Sequence, residues 1–320
     1  MSLLASWLAS PPPDAAIEIA PEAVSIAVLG GRSGSPVVQG YAVQPLPPGA
    51  VVASLTAHNI IDRVAVSGAL AAVVDRLGVR PRRVALVIPD LAARVSLVRF
   101  DRIPGKRDDL EQLIRWQVKK SAPFPVDEAS LTYSAGLRSG TGGEFVVVMA
   151  RRAIVHEYET VCEEAGMQPG LVDLATLSVV NLFLAGHVPP SGDWLVVHIR
   201  PEYTSIVILR GEDVIFSRTR TESDEDALAD VVHQSTMYYQ DRLSGAGFAR
   251  VLLGGIGRSA GAESAARRSL EERLGTPVEA IETTTAAALA DRPAGSPEVL
   301  AVLAPLVGML LRARREAVGA

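Results

Sequence analysis

At 320 residues, 48% hydrophobic and 21% charged, the chain is long enough for two lobes with substantial cores and has a globular composition. Its net charge of −5 argues against a general nucleic-acid-binding face. Cys162 is the single cysteine, which excludes an internal disulfide and a cysteine-based zinc site and suits a reducing cytoplasm.

Met1 to Ser10 lacks the basic start of a secretory signal. Leu3, Leu4, Trp7 and Leu8 would share one face of a short helix, and a frayed or locally docked terminus is preferred there over a membrane or partner contact. Ile17 to Leu29 reads as strand, tight turn, strand, and Val37 to Val43 as a further strand. Residues 44–56, with three prolines and Gly49, read as a connector. A helix over Val64 to Leu77 stops at Gly78, and Val84 to Ile88 is a buried strand ended by Pro89. Val95 to Phe100 is another strand. Asp108 to Lys120 is an amphipathic helix with Leu110, Leu113, Ile114 and Val118 inward, broken by Pro123-Phe124-Pro125.

Leu131 to Ala135 and Phe145 to Ala150 read as strands around a glycine-rich loop, Ser139 to Gly143. Ala153 to Ala165 is a helix closed by Gly166, and Ala175 to Leu184 a buried one. Val188 to Asp193 links to the second half, which runs through strands to Arg218 and a helix over Asp226 to Leu243. Val251 to Leu253 is a buried strand entering Gly254-Gly255-Ile256-Gly257. Helices over Ser264 to Leu274 and Pro297 to Arg314 close the chain. No apolar run reaches the ~20 residues that span a bilayer; the best candidate, Val299 to Leu311, is short and contains Pro305.

An internal repeat organises these elements. At an offset of 180 residues, Ile17 to Leu29 lies over Val197 to Leu209 with six of thirteen positions identical, among them Pro21-Glu22 over Pro201-Glu202. Ordinary composition predicts roughly one identity. Two copies this far apart indicate a duplicated α/β fold and not a solenoid.

The chain resembles the actin-like ATPase superfamily, and within it the PilM proteins of type IV pilus assembly. The residues that carry the likeness are Arg99 to Pro104, the Pro123-Phe124-Pro125 turn, Glu164 to Pro169 with Val172-Asp173, Phe216-Ser217-Arg218, Gln234 to Tyr239, and Ala304 to Arg312. The resemblance implies a duplicated actin-like (ribonuclease H-like) two-lobed fold with an inserted α+β subdomain. The corresponding parts are 1–94 for the first part of the first lobe and 95–173 for the insert. Residues 174–192 are a return helix and linker, 193–295 the second lobe and 296–320 a C-terminal helix. It implies a platform component at the inner face of the inner membrane that binds the cytoplasmic tail of a PilN-like bitopic membrane protein. The assembly motor and self-association into a ring are further partners in that picture. The tail-binding groove is expected between the first lobe and the insert, using apolar pockets and main-chain hydrogen bonds.

Nucleotide-binding superfamily members place Asp-x-Gly-Ser/Thr at the first phosphate loop. The corresponding residues here are Glu18-Ile19-Ala20-Pro21, and at the second loop His198-Ile199-Arg200-Pro201. Glycine, which lets backbone approach phosphate, is absent from both, and proline has no N–H to donate. Glu22 and Glu202 would repel a polyphosphate unless a metal intervened. Gly254, Gly255 and Gly257 resemble the adenosine loop, although any tight strand-to-helix turn uses such glycines. The expectation is a pseudo-ATPase with no cofactor, binding of ATP with magnesium being the open alternative, with Arg200 as a phosphate contact. An active ATPase or small-molecule kinase, a membrane-tethered filament protein and a type II secretion L subunit are the other classes weighed.

Other constellations read as structural. His58, His156, His187, His198 and His233 have no metal-ligand spacing, and Cys162 sits on an apolar helical face. The acidic run Glu222 to Asp226 suits a helix N-terminus. Tyr238-Tyr239 is expected to give one core ring and one exposed ring. Arg107, Arg115, Lys119 and Lys120 form a basic edge on the insert, either a solvated face or a face toward anionic lipid.

Overall fold

A computed structural model describes residues 12–32, 35–186, 191–221, 225–255, 262–281, 283–290 and 297–319. The amino-terminal leucines and Trp7, the first part of the acidic run, His187, the first half of the expected linker and Gly257 lie outside them. The first half opens with strands β1 (Ala15–Ile19), β2 (Ala23–Arg32) and β3 (Ser35–Pro45), helix α1 (Arg63–Leu77) and strand β4 (Arg83–Ile88). Strand β5 (Ala93–Phe100), helix α2 (Arg107–Lys119) and strands β6 (Ala129–Ser139) and β7 (Gly142–Arg151) follow. Helix α3 (Arg152–Glu164), strand β8 (Gln168–Leu174) and helix α4 (Ala175–Gly186) end this half.

The second half contains β9 (Asp193–Ile199), β10 (Tyr203–Arg210), β11 (Asp213–Thr221), helix α5 (Glu225–Leu243) and β12 (Arg250–Gly255). It continues with helix α6 (Ala262–Leu274), β13 (Val278–Ala280), β14 (Ala288–Leu289) and the closing helix α7 (Pro297–Gly319).

Two sheets carry the duplication. One has the order β14-β3-β2-β1-β4-β8, the other β11-β10-β9-β12-β13. Each begins with an antiparallel hairpin and continues with parallel strands. The registers agree at the expected offset: Ile17 faces Ile26 in the first hairpin and Val197 faces Ile206 in the second. The turns close alike, with the Ala20 N–H donating to the Ala23 carbonyl at 3.0 Å and the Arg200 N–H to the Tyr203 carbonyl at 2.8 Å. The sequence repeat is thus a structural repeat, and the fold is the expected actin-like one.

Strand alternation sorts the cores, because successive side chains point to opposite faces. Ala16, Leu29 and Val87 of the first sheet and Trp194, Val196 and Leu209 of the second close on one layer formed by α4 and α7. The outer faces are covered separately, Ile17, Ile26 and Leu86 by α1 and α3, and Val197, Ile208 and Val251 by α5 and α6. The α4–α7 contact is very close. A Cβ built on Gly308 would lie 1.8 Å from the Ser178 carbonyl oxygen, so only glycine fits there. Helix α7 is also fastened to the first lobe by its arginines, with Arg312 bonded to the buried Asp173 of β8 and Arg314 to the Gly30 carbonyl at 3.1 Å.

The insert is shorter than expected. Its three-stranded sheet, β5-β7-β6, ends with β7 at Arg151. Residues 152–173 belong instead to the first lobe, because β8 pairs with β4 and α3 buries Ile154, Tyr158 and Cys162 in that lobe's core. The insert has its own core of Val98, Ile114, Phe124, Phe145 and Met149. The expected loop Ser139 to Gly143 is a tight hairpin turn at Gly140-Thr141, with Gly140 at φ 59°. Tyr239 is buried and Tyr238 half exposed, as the helical phase of α5 anticipates.

Candidate functional site

The two hairpin turns meet where the lobes meet. Glu18 on β1 and His198 on β9 hold equivalent positions, and alternation aims both between the sheets, in line with Ala16 and Val196. Arg200, equivalent to Ala20, crosses to the first lobe. Its Nη2 lies 2.9 Å from Glu18 Oε1 and 2.6 Å from Glu22 Oε1. The Arg200 and Glu18 side chains are both only 3% exposed.

A solvated pair of this kind would contribute little; a buried one is costly to form and far more costly to break on one side. Burial pushes the Glu18 carboxyl up to about 7, against the pull of Arg200 and with a push from Glu22. Burial works against the Arg200 charge as well, and Glu18 and Glu22 outweigh it, so the guanidinium is held protonated more firmly than usual.

A second network runs beside the first. Asp90, in the short 3-10 turn after β4, is buried beneath both turns. Its carboxylate accepts from the Thr176 N–H at 3.0 Å, from the Thr176 hydroxyl, and from the Ser205 hydroxyl at 2.5 Å. The Asp90 N–H donates to the Tyr203 hydroxyl at 3.3 Å. Burial raises the Asp90 carboxyl, and the Ser205 and Thr176 bonds pull it back. His198 Nδ1 lies 2.8 Å from Thr176 Oγ1. The threonine has one proton and gives it to Asp90, so His198 donates from Nδ1 and carries a bare Nε2. Burial and the Arg200 charge hold this imidazole neutral, with its pKa down to about 3.

The sequence-predicted residues therefore separate. Glu18, Glu22 and Arg200 form one cluster, while His198 joins Asp90, Thr176 and Ser205. Pro21 and Pro201 shape the turns, and Glu202 stands where the repeat places it, one residue before Tyr203. Gly254 and Gly255 have packing reasons of their own. A Cβ on Gly255, at φ +117°, would lie 1.9 Å from the Ile199 carbonyl oxygen, and one on Gly254 would lie 2.6 Å from Ile281 Cβ.

Asp90, Thr176, Tyr203 and Ser205 were not singled out in the sequence. Only Asp90 offered a signal, an acid just past the carboxyl end of a buried parallel strand, where α/β sheets build sites. Among the described residues, no three His, Cys, Asp or Glu side chains are grouped to hold a metal, and no helix is long and apolar enough to cross a membrane.

The basic edge is also divided. On α2, Arg115 pairs with Glu111 at 3.0 Å, and Lys119 and Lys120 sit at the exposed carboxyl end. Arg107 begins the helix, nine residues before Trp116 and so on the opposite face at 100° per residue.

Comparison with known proteins places this geometry. A sequence model described as "Type IV pilus assembly protein PilM" matches residues 16–241. The fold is similar to a solved structure titled "PilM-PilN type IV pilus biogenesis complex", at TM-score 0.82 and 19% identity, over 95% of this chain and 99% of that one. It is also similar to a Bacteroides thetaiotaomicron protein with an actin-like ATPase fold and unknown function, at TM-score 0.51 and 9% identity, over 92% and 96% of the two chains. The ethanolamine utilization protein EutJ from Carboxydothermus hydrogenoformans is similar at TM-score 0.50 and 11% identity, over 95% and 90%.

Proposed function

Because the chain belongs to the type IV pilus assembly protein PilM family, we propose that it is a non-catalytic adaptor of pilus assembly, its lobes joined by Arg200 where relatives would hold nucleotide. Its partner in this reading is the cytoplasmic tail of a PilN-like bitopic membrane protein, which keeps it at the inner face of the membrane. The observation that carries the non-catalytic part is the buried Arg200–Glu18–Glu22 cluster. A guanidinium and two carboxylates stand at the phosphate-loop turns, and a triphosphate entering there would have to displace the cation and face the acids. Both turns carry proline in place of an N–H donor, and Gly254 and Gly255 of the third turn are accounted for by Ile281 and backbone contacts. The residues present therefore do not fit a magnesium–triphosphate group, and no catalytic step is assigned.

The likeness to a structure of PilM with PilN supports the partner class. One calorimetric experiment on the full chain tests both parts. Titration with magnesium and ATP is expected to give no saturable heat, and titration with the cytoplasmic peptide of a PilN-like bitopic protein from the same organism to give a stoichiometric complex. Micromolar nucleotide binding with turnover would overturn the non-catalytic part. A folded chain that ignores the peptide would overturn the adaptor part.

A further inference from the structure

Trp116 is an anomaly of the insert. It lies on α2 opposite Ile114 and Val118, whose burial in the insert core fixes the helix and turns the indole outward. The ring is 58% exposed, although Lys120 Nζ sits over one face, 3.9 Å from the centroid. Exposed lysines at a helix C-terminus have an ordinary purpose, since they complement the helix dipole. That purpose explains Lys119 and Lys120 and leaves the tryptophan unexplained, because leaving so large an apolar ring in water forgoes the stabilisation of burying it.

The surroundings supply the missing partner's chemistry. From Gln112 to Pro125 the sequence holds Arg115, Lys119 and Lys120 and no acid, in a chain whose net charge is −5. Arg94 of β5 adds a fourth cation, its guanidinium bonded to the Ser121 carbonyl at the end of the same helix. An exposed tryptophan with one lysine over its face and further cations at the same helix end matches the headgroup layer of an anionic bilayer, where tryptophan seats at the interface and lysines meet lipid phosphates.

We propose that the carboxyl end of α2, with Trp116, Lys119, Lys120 and Arg94, docks on an acidic phospholipid surface. The inference rests on the adaptor reading only in that a membrane-anchored partner would keep a bilayer within reach. The contact itself is predicted for the chain alone.

Flotation of the full chain, without partner, tests it. Vesicles of phosphatidylcholine with about one third phosphatidylglycerol should carry the protein upward, and pure phosphatidylcholine vesicles should not. Trp116→Ala and the Lys119→Glu/Lys120→Glu pair should each lower partition about tenfold or more at moderate salt while the chain stays folded, the lysine pair with a small drop in melting temperature from the lost dipole complement, because all three side chains are exposed. Equal partition of wild type and variants, or no flotation of folded wild type, overturns the proposal. So does loss of binding to an acidic protein segment in these variants with lipid binding intact, which would make the face a protein dock. Binding of the partner's cytoplasmic peptide, measured on the same samples, separates the readings. If peptide binds and vesicles do not, the lipid surface fails and the adaptor reading stands.

Discussion

Glu18 and His198 occupy one position of the repeat and titrate in opposite senses. The Glu18 carboxyl binds its proton more tightly folded than unfolded, rising from 4.5 to about 7. Its contribution to stability is therefore complete below the lower value and is lost as pH rises through about 7. His198 falls from 6.5 to about 3, so its contribution is present above 6.5 and is lost as pH falls toward 3. Between these values the two slopes oppose, and the chain should show a flatter acid limb than either residue alone would give. Replacing Glu18 by glutamine removes only the first. Whatever offset the loss of Arg200's partner sets, the urea-midpoint difference between Glu18→Gln and wild type should move in the variant's favour between about pH 5 and about pH 8, by up to about 3 kcal/mol. A difference that does not change with pH would mean that Glu18 ionises normally in the folded chain. Cys162 behaves otherwise: burial pushes its thiol up to about 12, which leaves it inert at neutral pH.

Helices α4 and α7 set the distance between the two sheets, and one glycine sets the distance between the helices. Gly308→Ala gains about 1 kcal/mol of helix propensity and must move a backbone carbonyl that its Cβ would overlap. Overpacking of this kind costs about 1–3 kcal/mol or more, so a lower melting temperature is expected. Gly68→Ala on α1 meets nothing within 4 Å and should raise it. If the two variants shift the same way, helix propensity and not interhelical contact governs Gly308.

The same elements mark how far the sequence could be read. The twin hairpins were legible because a strand, a Pro-Glu turn and a strand are local patterns with a fixed period. The apolar stripe Ile154, Tyr158, Val161 and Cys162 told that α3 buries a face, and nothing in a stripe tells which sheet receives it. A stripe alone therefore carries the expected insert past Arg151, where the sheet of the insert ends. Asp90, Thr176 and Ser205 lie far apart in the chain and meet only after the lobes close, so no spacing rule could have joined them.

At the scale of the molecule, Arg200 is a buried electrostatic link between the lobes, beside the apolar layer, the Asp90 network and the arginines of α7. The cross-link is a side chain of the second lobe seated on two carboxylates of the first. Its removal should therefore act on both lobes at once. Arg200→Met leaves the buried Glu18 and the half-buried Glu22 without their cation, a loss of about 3–5 kcal/mol for breaking one side of a buried pair. Replacing all three together, Glu18→Gln, Glu22→Gln and Arg200→Met, removes the stranded charges and should recover most of that loss, since a neutral core of similar volume is often as stable. Hydrogen exchange should show the β1–β2 and β9–β10 turns losing protection together in Arg200→Met, while the insert sheet, which has its own core, stays as in the wild type. Addition of magnesium and ATP should not restore the lost protection. Restoration by nucleotide would mean that the cation had been guarding a usable phosphate site and that the cross-link is a gate; loss confined to one hairpin would mean that the lobes are joined by α4 and α7 alone.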